Sequence, residues 1–159
     1  MQKPYVVGID IGGTNTVFGI VDARGSVLAT SSIKTQKHVF LEDYIKELYQ
    51  ELSKLIKDNT DISKIKGIGI GAPNANYFTG NIEQAPNLPW KGIIPFAKKI
   101  NEKFDLPVAI TNDANAAAIG EMIYGAARGM KDFIMITLGT GVGSGIVSNG
   151  SLVYGNDGF

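Results

Sequence analysis

The stretch "VVGIDIGGTNTVFGIV" (residues 6–21) contains two apolar runs separated by a short polar, glycine-rich segment. Each run has the length and composition of a β-strand, and the short gap between them is typical of a hairpin. Asp10 ends the first run, where a carboxylate can hold Mg²⁺ directly or through water. Gly12 and Gly13 let the backbone turn sharply and expose amides that suit a phosphate group. By themselves, these residues fit an ordinary glycine-rich hairpin equally well.

The segments beyond this hairpin alternate between strand and helix patterns. A third strand is predicted over 26–33, and apolar residues at steps of three and four from Leu41 to Ile56 predict an amphipathic helix. Three antiparallel strands followed by alternating helices and strands predict an α/β fold. We expect a ribonuclease-H-like (actin-like ATPase) lobe, with a mixed β-sheet and the element order βββαβαβα. The later predicted elements are strands at 65–73, 106–111 and 133–138, and helices from Ile94 to Phe104 and from Asn112 to Gly125 or Gly129.

The end of the chain repeats the plan of its beginning. Residues 133–155, "FIMITLGTGVGSGIVSNGSLVYG", again contain a strand, a Gly/Thr loop, a second strand, a tight turn and a third strand. Any two hairpins share part of this plan, but we favour a duplicated lobe whose second copy has only begun. We therefore expect a first lobe at 1–129, an incomplete second lobe at 130–159, and a fragment of a longer protein. Uncovered strand residues such as Ile134, Ile136 and Ile146 are expected to pair with another copy.

Two other segments carry candidate functional groups next to predicted strands. Residues 139–145 place four glycines after a strand, so a second amide-rich loop and the first one could hold a polyphosphate from both sides. Asn112 and Asp113 lie between a strand and a helix, which suits either helix capping or a ligand site at the strand end. If Asp113 and Asp10 face one crevice, one carboxylate could serve a metal and the other could accept a proton.

A long polar loop at 74–90 is a further candidate, because long loops in compact domains are more often functional than idle. Asn87 offers both a donor and an acceptor, which matches sugar hydroxyls. Trp90 is expected to anchor the loop on the core, with a stacking platform as the alternative, and His38 is expected to be a surface residue.

Composition excludes several classes of protein. The 159 residues are 44% hydrophobic and 19% charged, which is a globular composition. Lys+Arg and Asp+Glu both number 15, so no basic excess favours nucleic acid as a partner. Cysteine is absent and histidine occurs once, which argues against disulfides and Cys/His metal sites. No apolar run approaches the ~20 residues that span a bilayer, so we expect no membrane partner and a cytoplasmic location.

The motifs together closely resemble those of the ROK family of bacterial sugar kinases and repressors, and within it the glucokinase-type enzymes. They occur in family order and extend over the whole chain: GIDIGGTNT (8–16), GIGIGAP (67–73), APNLPW (85–90), ITNDANAAAIGE (110–121) and TLGTGVGSGIV (137–147).

This resemblance implies ATP-dependent transfer of a phosphoryl group to a hexose, on the 6-hydroxyl of glucose in glucokinases, with ATP and Mg²⁺ as cofactors. It implies Asp113 as the catalytic base and Asp10 near the Mg²⁺. The implied sugar-site residues are Gly71, Asn87, Asn112 and Asp113. The implied phosphate-loop residues are Gly12, Gly13, Thr14 and Asn15 in the first loop, and Gly139, Thr140 and Gly141 in the second.

The sequence also departs from the family pattern. The Glu-x-Gly-His segment and the Cys-rich zinc motif that usually follow are not among these residues. Structural zinc is therefore expected only in a missing C-terminal part, and this chain is expected to be inactive alone.

Two alternatives to a kinase remain, a sugar-responsive repressor and a non-catalytic sugar-binding module. Family repressors carry a helix-turn-helix segment before the first strand, whereas only four residues precede Tyr5 here. We favour the sugar kinase, as a homodimer or a higher homo-oligomer.

Overall fold

The computed structural model describes residues 4–139 and 141–159, which form a five-stranded sheet, a three-stranded sheet, a two-stranded sheet and three α-helices. The helices are α1 (Leu41–Asn59), α2 (Phe96–Phe104) and α3 (Asp113–Tyr124). Short 3-10 helices occupy Thr35–Lys37 and Ile62–Lys64. The strands are β1 (Tyr5–Ile11), β2 (Asn15–Asp22), β3 (Val27–Lys34), β4 (Ile65–Ala72), β5 (Ile82–Glu83), β6 (Ile93–Ile94), β7 (Val108–Asn112), β8 (Phe133–Leu138), β9 (Val142–Ser148) and β10 (Ser151–Leu152).

The five-stranded sheet has the order β3-β2-β1-β4-β7. Short turns join β1, β2 and β3, so these strands pair antiparallel, whereas helical crossovers make β1–β4 and β4–β7 parallel. This mixed sheet confirms the α/β fold, and its strands and the helices between and after them follow the predicted order βββαβαβα; the short strands β5 and β6 belong to a separate sheet.

The hydrophobic core lies between one face of this sheet and the helices α1 and α2. Alternate residues of β1 (Val7, Ile9 and Ile11) are at most 3% exposed, which leaves Asp10 on the opposite face. The predicted amphipathic helix is confirmed as α1, whose buried face includes Leu48 and Leu52. In the described part of the chain, no helix is long and apolar enough to cross a membrane.

Helix α3 packs between the five-stranded and the three-stranded sheets. Close packing on the second sheet requires glycine: a Cβ at Gly145 would lie 2.6 Å from the Ala118 Cβ and 2.8 Å from the Ala114 carbonyl oxygen. Gly143 also lies in β9, where an added Cβ would be 3.1 Å from the Ala114 Cβ. Two of the four glycines assigned to the second loop therefore belong to a strand and serve helix packing.

The three-stranded sheet, in the order β10-β9-β8, repeats the strand plan of β1 to β3. The tight turn predicted between its second and third strands is confirmed at Asn149–Gly150, since both residues have the positive φ of a tight hairpin turn, 51° and 73°. The expected exposure of apolar side chains is also confirmed: Ile134, Ile136 and Ile146 are 63%, 58% and 44% exposed. The domain boundary between residues 129 and 130 stays a prediction.

Three local predictions need correction. The polar loop contains the short strand β5, which pairs with β6. Ile94 lies in β6 rather than in a helix. Helix α2 begins two residues later, at Phe96, directly after Pro95. His38 is buried rather than on the surface, because the preceding 3-10 turn brings it against α1, where its Nε2 lies 2.6 Å from Glu47 Oε2.

Candidate active site

Asp10 and Asp113 meet over Gly71 at one end of the five-stranded sheet. In the strand register, Asp10 pairs with Gly71 and Gly71 pairs with Thr111. A Cβ at Gly71 would lie 3.9 Å from Asp10 Oδ1 and 3.6 Å from the Asp113 Cα. The same Cβ would lie 3.2 Å from the Ala116 Cβ, so only glycine fits here without crowding α3. Asp10, Gly71 and Asp113 line the same cavity, as the sequence suggested.

Two acidic side chains influence each other at this end of the sheet. Partial burial raises the pKa of Asp10, and the charge of the neighbouring Asp113 raises it further. The described residues contain no cluster of three or more His, Cys, Asp or Glu side chains that could hold a metal by themselves. Mg²⁺, however, commonly binds through one or two carboxylates together with phosphate oxygens and water. A carboxylate donor at Asp10 fits this mode of binding.

Asn112 ends β7 and caps α3, which begins at Asp113, so capping, one of the two roles that the sequence allowed, is confirmed. The Ala114 amide donates to Asn112 Oδ1 at 2.9 Å and to Asp113 Oδ1 at 2.8 Å. Capping does not bury Asp113, which remains exposed beside the cavity. Its position is therefore compatible with contact to a ligand.

The first glycine loop, Gly12 to Asn15, packs against the segment that carries Asn87. The Gly12 amide donates to the Asn15 carbonyl oxygen at 3.0 Å and closes the turn. A Cβ at Gly13 would lie 2.9 Å from the Asn87 carbonyl oxygen, so only glycine allows this approach. Thr14, Asn15 and Asn87 are exposed. The structure therefore brings the predicted phosphate loop next to the predicted sugar-site asparagine.

The second glycine loop joins β8 and β9. The Gly139 amide donates to the Gly141 carbonyl oxygen at 3.0 Å, and both glycines are exposed. Thr140, which was assigned to this phosphate loop, lies outside the described residues. Thr137, near the loop end of β8, lines the same cavity as Asp10 and Asp113. The second sheet thus borders the site, while the role of its glycine loop remains a prediction.

The cavity has a volume of about 730 Å³ and extends over the outer face of the five-stranded sheet beside α3. Besides the predicted acidic residues, it is lined by Thr111, Tyr77 and Tyr154. The rings of Tyr77 and Tyr154 stack, with centroids 4.2 Å apart and planes 11° apart. Burial and the neighbouring Tyr77 raise the pKa of Tyr154, and contact with the Thr111 hydroxyl opposes that rise.

Sequence reasoning did not find these wall residues. Two hydrogen bonds join the segment that carries Tyr77 to the segment that follows Tyr154. Asn76 Nδ2 donates to the Asp157 carbonyl oxygen at 2.7 Å, and the Tyr77 amide donates to the Gly158 carbonyl oxygen at 2.8 Å. The Thr111 hydroxyl is buried and has no well-aligned hydrogen-bond partner among the described residues. The adjacent aromatic residues Tyr77 and Phe78 in the polar loop were a local signal that could have pointed to this wall. The stacking of Tyr77 on Tyr154 had no such signal, because it joins residues far apart in the chain.

Comparisons with known proteins find matches over nearly the whole chain. A family model described as "ROK family" matches residues 6–159. A glucokinase from Halalkalibacterium halodurans is 38% identical, over 100% of this chain and 48% of its own length. The crystal structure of a ROK family glucokinase from Streptomyces griseus in complex with glucose and AMPPNP is 35% identical with a TM-score of 0.84, over 97% of this chain and 47% of that one.

A relative named as a repressor also matches. A xylose repressor from Caldicellulosiruptor bescii is 32% identical, over 97% of this chain and 39% of its own length. The chain spans about half the length of the glucokinases that it matches, and less of the repressor.

Proposed function

Because the chain belongs to the ROK family, we propose that it forms the N-terminal part of an ATP-dependent hexose kinase with glucose as substrate. The observation that carries the proposal is the pair Asp10 and Asp113, which lie next to Gly71 and line one cavity at the end of the sheet. The similarity to glucokinases, one of them in complex with glucose and AMPPNP, supports the same assignment.

In this proposal each group has a distinct task. Asp113 accepts the proton of the sugar hydroxyl as the oxygen attacks the γ-phosphorus, and the bond to the β-phosphate oxygen breaks. Asn87 and Asn112 orient the sugar through hydrogen bonds. The amides of the two glycine loops bind the phosphates. Mg²⁺ bound at Asp10 would neutralise phosphate charge.

The first test replaces the proposed base in the complete protein that carries this chain. Asp113→Asn keeps the size and the helix cap but cannot accept a proton, so kcat for glucose is expected to fall by about 10²- to 10⁴-fold. Nucleotide binding, measured by calorimetry with AMPPNP, should stay near the wild-type value.

Asp105→Asn is the matched control, because Asp105 follows α2 in a left-handed conformation that asparagine also accepts. A variant at Asp113 with near-normal turnover would contradict the role of this residue. Assaying this chain alone beside the complete protein tests the expectation that the chain alone is inactive.

A second candidate is a sugar-binding regulator without catalysis, favoured by the similarity to the xylose repressor. Calorimetry with glucose and xylose, run together with the phosphorylation assay, separates the two candidates. Sugar binding without phosphorylation in the complete wild-type protein would favour the regulator. Light scattering of the same protein tests the homodimer or higher oligomer that we propose.

A further inference from the structure

Three hydroxyl groups form a fully buried network behind the first glycine loop. Thr16 Oγ1 lies 2.9 Å from Thr35 Oγ1 and 2.8 Å from the Tyr44 hydroxyl, and all three residues have no exposed surface. Burial raises the pKa of Tyr44, so its hydroxyl stays protonated at neutral pH. Buried polar groups are tolerated when they bond to one another, and such networks specify one arrangement of the chain.

The network is joined directly to the first glycine loop. Thr16 follows Asn15 without a gap, and it pairs with Ile11 on β1, just before the loop glycines. The Thr35 amide donates to the Thr14 carbonyl oxygen at 2.9 Å. The loop therefore has two attachments to residues whose hydroxyls are held by the network.

The ring of Tyr44 contacts the other segment of the site. Its centroid lies 4.5 Å from that of Trp90, which is 6% exposed and anchors the end of the polar loop on the core, as predicted. Asn87 precedes Trp90 by three residues, and its carbonyl oxygen packs against Gly13. A single side chain on α1 thus supports both segments that meet at the site.

We infer that Tyr44 is a positioning residue that holds the Gly12–Asn15 loop in place through its hydroxyl and the Asn87–Trp90 segment through its ring. The consequence for phosphoryl transfer rests on the proposed function, since small displacements of reacting groups cost large factors in rate. The structural coupling itself does not depend on that function.

Amide hydrogen exchange on this chain separates the two contacts of Tyr44. Tyr44→Phe removes only the hydroxyl, so exchange of the Gly12 and Thr35 amides should become about five- to tenfold faster while the Leu88 amide is unchanged. Tyr44→Leu also removes the ring contact, so exchange at Leu88 should rise as well. Thr16→Val should reproduce the effect of Tyr44→Phe, and Thr16→Ser, which keeps the hydroxyl, should restore wild-type exchange.

Tyr49→Phe is the matched control, because Tyr49 lies on the same helix and packs on Phe104, away from both loops. The inference is overturned if Tyr44→Phe leaves the Gly12 and Thr35 amides unchanged. It is also overturned if exchange accelerates equally throughout the five-stranded sheet, which would indicate a general loss of stability.

Kinetics of the complete protein provide a second measurement. Tyr44→Phe and Thr16→Val should lower kcat by about tenfold, whereas Tyr49→Phe and Thr16→Ser should not. If the wild-type protein phosphorylates no sugar, the proposed function fails, but the exchange experiment still decides whether Tyr44 positions the two loops. Wild-type kcat in Tyr44→Phe would overturn its role in the reaction.

Discussion

The two glycine loops share a sequence plan but differ in their surroundings. In the first loop, Gly13 packs against the Asn87 carbonyl oxygen, and buried hydroxyls lie behind the turn. In the second loop, a Cβ at Gly139 or Gly141 would meet no atom of the described residues within 4 Å. The adjacent Leu138 and Val142 are 82% and 78% exposed. The neighbouring backbone thus requires glycine at position 13 of the first loop. No described contact requires glycine at positions 139 and 141 of the second loop.

The largest effect on stability is expected when a glycine of each loop is replaced by alanine in two separate variants. Gly13→Ala forces the Asn87 segment to shift and should lower the free energy of unfolding by about 1–3 kcal/mol. Gly141→Ala meets no described atom within 4 Å and should change it by less than about 0.5 kcal/mol. Urea denaturation of this chain measures both values, and equal effects would remove the proposed difference between the loops.

A second contrast lies in how the two sheets are covered. The five-stranded sheet packs on α1 and α2, whereas Ile134 and Ile136 leave an apolar outer face exposed on the three-stranded sheet. We expect this face to drive self-association, so light scattering of this chain at high concentration should give a mass above 17.0 kDa.

Ile136→Lys places a charge on that face and should shift the mass toward the monomer. Ile93→Lys is the control, since Ile93 is also well exposed, at 67% against 58% for Ile136, but lies on β6, in a different sheet. A wild-type chain that is strictly monomeric would contradict the expectation.

The smallest effects concern two aspartates with opposite pKa shifts. Burial and Asp113 raise the pKa of Asp10, so the native state holds this proton more tightly than the unfolded chain does. Stability therefore falls as pH rises from the ordinary aspartate pKa through the higher native value. Asp10→Asn removes this loss and should raise Tm at neutral pH by on the order of 2 °C, because solvent screens a half-exposed group.

Asp132, next to the second sheet, should behave in the opposite way. The Asn149 amide and the Ser148 hydroxyl both donate to its Oδ1 at 3.0 Å, which lowers its pKa. Ionised Asp132 therefore stabilises the native state above the ordinary aspartate pKa, and this stabilisation is lost as pH falls through the lower pKa of the native state. Asp132→Asn should lower Tm at neutral pH but not in strong acid. Calorimetric scans from acid to neutral pH would refute the contrast if both variants shifted Tm in the same direction.

Much of the fold could be predicted because its signals are local. The three-to-four spacing of α1, the alternation in β1 and the Asn149–Gly150 turn each depend on a few neighbouring residues. The errors arose where non-local contacts decide: His38 looks polar and exposed in the sequence but is buried against α1, and Gly143 and Gly145 look like loop glycines but pack under α3.

The candidate site divides in the same way. Asp10, Asn112 and Asp113 could be found because each lies at a strand end recognisable from the sequence. Thr111, Tyr77 and Tyr154 could not, since the stacked tyrosines are far apart in the chain and Thr111 becomes a site residue only through its position in the sheet. The network of Thr16, Thr35 and Tyr44 is also beyond pattern reading, because three isolated hydroxyls carry no periodic signal.

By itself, the sequence determined the order of the main strands and helices, the family resemblance and the residues at the strand ends, because periodicity and turn chemistry act over short distances. Only the tertiary structure decided which glycines face backbone, which hydroxyls are buried together and which aromatic rings border the cavity. Those properties depend on register and packing between segments distant in the chain, and no local pattern encodes them.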